Sequence, residues 1–125
     1  MTDLKQLLVA CGLDEKKYSR LFKAFGDPTR QKIMIFLSTG EKTVNEIAKA
    51  VGVSQPTTSR HLAIMRDAGI VVDRRDGQRI YHRLEKVFIK NCCVGFCDCL
   101  EVKFVRLDEK KAEKKAEKNA AKKKK

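Results

Sequence analysis

Four of the five cysteines fall within one short stretch, Asn91-Cys92-Cys93-Val94-Gly95-Phe96-Cys97-Asp98-Cys99. Thiolates are soft ligands. Three sulfurs without water suit pyramidal As(III) or Sb(III), and three- or four-thiolate sets also hold Zn(II), Cd(II) or Pb(II). A dithiol has a second chemistry, oxidation to a disulfide. Spacing limits the combinations. On an unbroken helix Cys92 and Cys99 stand about 10 Å apart along the axis, too far to share an ion through bonds of roughly 2.3 Å. Cys93 and Cys97, at i and i+4, lie on one face. A break at Gly95 would fold Cys99 back and restore the other combination. A free cysteine is otherwise a small hydrophobe, the reading that fits the isolated Cys11.

The element that must carry these thiols is a helix in LEKVFIKNCCVGFCDCLEVKFVRL, where Val87, Phe88, Ile89, Cys92, Val94 and Phe96 make much of the circumference apolar. At the other end Leu4, Leu7, Leu8 and Cys11, then Tyr18, Leu21, Phe22 and Phe25, read as one helix or as two broken at Gly12-Leu13-Asp14. Gly26-Asp27-Pro28 stops that run. Asp27 is a cap and Pro28 a first-turn residue for a helix through Ile33, Ile35, Phe36 and Leu37 to Gly40. A single domain of 125 residues is too small to cover both apolar terminal helices, so they are expected to pack against a second copy of the chain.

Between these helices lies VGVSQPTTSRHLAIMRDAGIVVDRRDGQRIYHRL. Ser54 can cap a helix that begins near Gln55, with Pro56 in its first turn. Thr58, Leu62 and Met65 recur at helical spacing and face inward, leaving Pro56, Ser59, Arg60 and Ala63 outside. Before it, Thr43 and Glu46 stand at capping-box spacing ahead of Val44, Ile47, Ala48 and Val51. After Ala68-Gly69 come two β-rich runs around Asp76-Gly77, a hairpin with a basic tip. A small-faced helix of this kind fits a major groove, and Arg74, Arg75 and Arg79 on the hairpin would meet phosphates or a minor groove. His61 reads as a DNA contact or as packing at the helix base, and His82 as a satisfied core histidine.

The formal charge is +12, and the last seventeen residues, with nine Lys and three Glu, hold half of it. The rest of the chain is basic by itself, which favours a polyanionic partner. The tail from Asp108 has no apolar stripe and is expected to fray, giving one domain over residues 1–107. Neither a membrane span nor a secretory n- and h-region is present, so a cytoplasmic protein is expected. Neither histidine has a Ser or Cys partner at an informative spacing, and no Gly-rich phosphate loop occurs. The chain does not read as an enzyme.

FKAFGDPTRQKIMIFL, TVNEIAKAVGVSQPTTSRHLAIMRDAGIV and DRRDGQRIYHRL, in that order, resemble the ArsR/SmtB family of prokaryotic metal- and metalloid-sensing repressors, over roughly Tyr18 to Ile89. The resemblance implies a mainly α fold with a small β-hairpin, a dimeric winged helix-turn-helix in the order α-α-α-α-β-β-α. It implies a homodimer on double-stranded operator DNA that leaves when an inducer binds. The implied reader residues are Ser54, Gln55, Thr57, Ser59, Arg60 and His61. The Cys-x-Cys pair that many arsenic-sensing members carry before the reader helix is absent, TVNEIA standing there, and so is the Asp/His set of zinc-sensing members. Some members use a C-terminal adjacent pair plus a further cysteine, which implies Cys92 and Cys93 with Cys97 or Cys99, and Cys11 as an outside candidate. As(III) or Sb(III) is then the expected inducer, with Cd(II), Pb(II), Zn(II) or thiol oxidation as alternatives.

Overall fold

The computed structural model describes residues 3–102; the tail expected from Asp108 and the boundary at 107 lie outside the described residues. Side-chain oxygens set most helix starts. α1 (Leu4–Cys11) ends where Gly12 takes a left-handed φ of 66°, so the N-terminal apolar stretch is two helices. Asp14 then accepts from the Lys17 N–H at 3.2 Å to open α2 (Glu15–Phe25). Asp27 does the same for α3 (Pro28–Leu37) through the Arg30 N–H at 3.0 Å. Thr43 caps α4 (Val44–Val51) through the Glu46 N–H, and Ser54 caps α5 (Gln55–Asp67) through the Thr57 N–H. Each bond satisfies an amide that the first helical turn leaves without a partner.

Three antiparallel strands, β1 (Lys42–Thr43), β2 (Val71–Asp76) and β3 (Arg79–Leu84), pair in the order β1-β3-β2. The hairpin expected from the sequence therefore gains a third strand, with Lys42 opposite His82. A two-residue strand is too short to display alternation, so no periodicity announces it. Asp76 pairs with Arg79, which places the turn at Gly77-Gln78, one residue later than expected. Gly77, at φ 61°, supplies the positive dihedral that the first central position of such a turn requires.

α6 (Lys86–Cys99) runs through Gly95 without a break. It stops at Leu100, short of the full apolar stretch read from the sequence, because Leu100 and Glu101 leave helical geometry, Glu101 at φ 58°. The core gathers Leu21, Ile33, Leu37, Ile47, Leu62, Met65, Ile70, Val71 and Cys92, drawn from α2 to α6. Reader helix and thiol helix thus share one packed interior.

Candidate nucleic-acid interface and thiol cluster

On α5 the inward set is as spacing predicts: Thr58, Leu62 and Met65 are essentially inaccessible, while Pro56, Ser59, Arg60 and Ala63 are exposed. Gln55 is exposed at the helix start, and the Ser54 hydroxyl donates to Thr57 Oγ1 at 2.9 Å while accepting from the Thr57 amide. Capping thus occupies two of the six expected reader side chains. His61 is half-buried. Its Nδ1 lies 3.2 Å from Nη1 of Arg30, a guanidinium that also donates to the carbonyls of Ala24 and Lys23 at 2.9 Å each.

The wing arginines divide. Arg74 donates from Nε and Nη2 to the Glu41 carboxylate, at 3.0 and 2.7 Å to Oε2, and lies over the Tyr81 ring. That hydrogen bond, ahead of the charge of Arg74, holds the Glu41 carboxyl below its ordinary range. Arg75 and Arg79 are exposed and form no ion pair among the described residues. Asp73, at the root of the wing, meets His82 Nδ1 at 2.7 Å and Arg66 Nε of α5 at 3.1 Å. His82 is the satisfied buried histidine its place on β3 suggested.

The thiols divide between the core and the surface of the helix. Cys92 is buried in the core, Cys93, Cys97 and Cys99 are half-buried, and Cys11 is exposed. Cys99 reaches across to α1, its Sγ 3.5 Å from the Cys11 carbonyl oxygen, and hydrogen bonding to the Cys11 side chain, with burial, pushes its thiol up to about 11. Burial, then the neighbouring Cys92 and Cys97, raise Cys93. Gly95 does not fold Cys99 back; a Cβ there would sit 2.7 Å from the Tyr18 hydroxyl, so the missing side chain makes room for the Tyr18 phenol against α6. Tyr18 and Phe22 of α2 pack on Phe96, with ring centroids 5.4 and 4.7 Å away. Burial first, and then Cys92, Cys99, Cys11 and Cys93, raise the Tyr18 phenol, which has four thiols as its neighbours. Even so, among the described residues no three Cys, His, Asp or Glu side chains converge to hold an ion. The expected set of Cys92, Cys93 and Cys97 or Cys99 is near one place but not assembled. Adjacent helical residues point about 100° apart, and the core has taken Cys92.

Residues 27–72, which include the turn between α4 and α5 and the whole of the reader helix, match the profile described as bacterial regulatory protein, arsR family. The transcriptional repressor SdpR of Bacillus subtilis is 38% identical over 73 residues, which are 58% of this chain and 81% of that one. The chain belongs to the arsR family. Its arsR-family match extends to the arsenic resistance transcriptional regulator ArsR1 of Pseudomonas putida, 46% identical over 65 residues, where it spans about half of either protein (51%). Among solved structures, the homodimeric winged helix-turn-helix DNA-binding domain Mb0332 of Mycobacterium bovis aligns with a TM-score of 0.58 at 28% identity, over 75% of this chain and 82% of that one. The fold is therefore the winged helix-turn-helix expected, and an arsR-family chain is a transcriptional regulator rather than an enzyme. No helix of the described residues is long and apolar enough to cross a membrane.

Two contacts of this arsR-family site escaped the sequence, Arg74 with Glu41 and Arg30 with His61, which join residues 33 and 31 positions apart. Periodicity reports one element at a time, and no local pattern could have found them.

Proposed function

We propose that this arsR-family repressor binds operator DNA as a homodimer and is released when As(III) or Sb(III) takes three thiolates of α6, Cys92 and Cys93 with Cys97 or Cys99. The observation that carries the reading is that Cys92 lies in the same buried cluster as Leu62 and Met65 of the reader helix. Drawing Cys92 out to share an ion must disturb the packing under α5. A ligand shifts an equilibrium only by its differential affinity for two states, and a thiol set that is unassembled without ligand supplies that difference. A coupling of about 1.4 kcal/mol changes operator affinity tenfold.

Support for the ion comes from donor chemistry, soft sulfur and little else, and from similarity to a regulator named for arsenic resistance. The same donors accept Cd(II), Pb(II) or Zn(II). Support for the dimer comes from the exposed Leu4, Leu7, Val9, Val87 and Leu100 on α1 and α6 and at the end of α6, and from the homodimeric Mycobacterium bovis domain. On DNA, Gln55, Ser59 and Arg60 face base edges, while Ser54, Thr57 and His61 lie beside the backbone. Arg75 and Arg79 meet phosphates and Arg74 joins them when Glu41 releases it. A DNA regulator acts where the chromosome is, the bacterial cytoplasm.

A second reading, a thiol switch, draws on the Cys99–Cys11 contact. Fluorescence anisotropy of the reduced protein on its upstream DNA separates the two. Release by arsenite or antimonite, lost in Cys92→Ser/Cys93→Ser, supports the metalloid reading; release by peroxide alone moves the thiols to the switch.

A further inference from the structure

Among the described residues Arg30 is the one buried arginine, at 9% exposure, and its guanidinium is a fork with every branch engaged. Nε and Nη2 hold the Ala24 and Lys23 carbonyls at the end of α2, and Nη1 reaches His61 on the reader helix at 3.2 Å. Guanidinium is donor only and keeps its charge, so the Nδ1 of His61 must be the acceptor. An acceptor Nδ1 leaves one proton for the ring, on Nε2.

We propose that Arg30 is a positioning residue for the reader helix, fixing His61 as a neutral ring with its single proton on Nε2, so that His61 meets DNA as an uncharged hydrogen-bond donor. This rests on the operator-binding reading above. A protonated His61 would set N–H against N–H and cation against cation, and Arg30 cannot withdraw without abandoning the two carbonyls it caps at the end of α2. The other charged group facing this contact is Asp27, whose carboxyl accepts from the Arg30 backbone N–H at 3.0 Å. That bond, followed by the charge of Arg30, keeps Asp27 below its ordinary range, so it stays ionised wherever histidine titrates and contributes a constant field. Along α5 the adjacent cation is Arg60, which is exposed.

Long-range proton–nitrogen NMR of the imidazole in the full chain, at pH 7.5 and 6.0, reads the tautomer directly. A proton on Nε2 alone is expected at both, and a proton on Nδ1 overturns the proposal. In Arg30→Lys, which keeps the charge but loses the fork, the single tautomer should give way to a mixture; an unchanged spectrum would equally overturn it. The DNA contact is tested by the slope of log affinity against log salt at pH 6.0, where a histidine beside phosphate that nothing held neutral would be charged. His61→Gln, whose side-chain oxygen can accept from Arg30, should bind with the wild-type slope; a slope shallower by about 0.9 would show that His61 is a cationic phosphate contact. If no operator is bound at all, the operator reading fails and the DNA contact fails with it, while the tautomer still decides the hold of Arg30 on His61.

Discussion

The reader helix and the thiol helix rest on one core, yet one is finished and the other is not. α5 has its cap, its buried stripe and its tie to the wing in place before any DNA arrives. On α6 one thiol is in the core, another bonds to α1, and no three donors converge among the described residues. The difference teaches where the response can lie. A preformed reader needs no ordering to meet DNA, whereas an unassembled thiol set can bind only by moving its helix.

The strongest way to break the comparison is through the shared interior. Leu62→Ala should destabilise the chain by ~2–5 kcal/mol, because a fully buried leucine is replaced by a cavity. Urea unfolding followed by circular dichroism reads this, and if reader and thiol helices are one cooperative unit, reactivity of the Cys92 thiol must rise along the same transition. Within α6 the contrast sharpens. Cys92→Ser places an unpartnered hydroxyl in the core and should cost ~1–3 kcal/mol. Cys97→Ser, on a half-buried position outside the core cluster, should stay within ~0.5 kcal/mol. Equal costs at the two positions would mean that the thiols form a preassembled set after all.

The inward face of α5 was legible because Thr58, Leu62 and Met65 obey the helical period and Ser54 and Pro56 mark the start. α6 was less legible for a physical reason. Its cysteines are at once apolar packing and soft ligands, and sequence spacing cannot say which use the core makes of each. Cys92 went to packing and Cys99 to α1, a helix 88 residues away. Glu41 likewise gave no hint that it would engage Arg74, since the strand β1 beside it is only two residues long.

Smaller effects test the finished end. Asp73→Asn removes the charge that His82 and Arg66 share and should cost ~1–3 kcal/mol by leaving a buried ring poorly paired; thermal unfolding measures it. Ser54→Ala should cost ~1 kcal/mol through the lost cap, with operator affinity falling in step. The wing carries the smallest effect and a pH signature. Because the Glu41 carboxyl is lowered by Arg74, its stabilising pair is fully present above the ordinary carboxylate range and is lost as pH falls through the lowered value. Glu41→Gln should therefore differ from wild type in urea midpoint at neutral pH and converge with it in acid. The same variant frees Arg74 for phosphate and should steepen the salt dependence of operator binding by up to about 0.9. No change in that slope would leave Arg74 outside the interface.

One carboxylate, Asp73, holds Arg66 of the reader helix and His82 of the wing together. The helix proposed to read the groove and the strand proposed to grip phosphate thus travel as a single stamp. In a two-fold repressor of the kind proposed, each half-site would be printed whole or not at all. Induction would act as a change of spacing between two stamps, and a mutant operator with altered half-site separation should mimic the inducer more faithfully than one with altered bases.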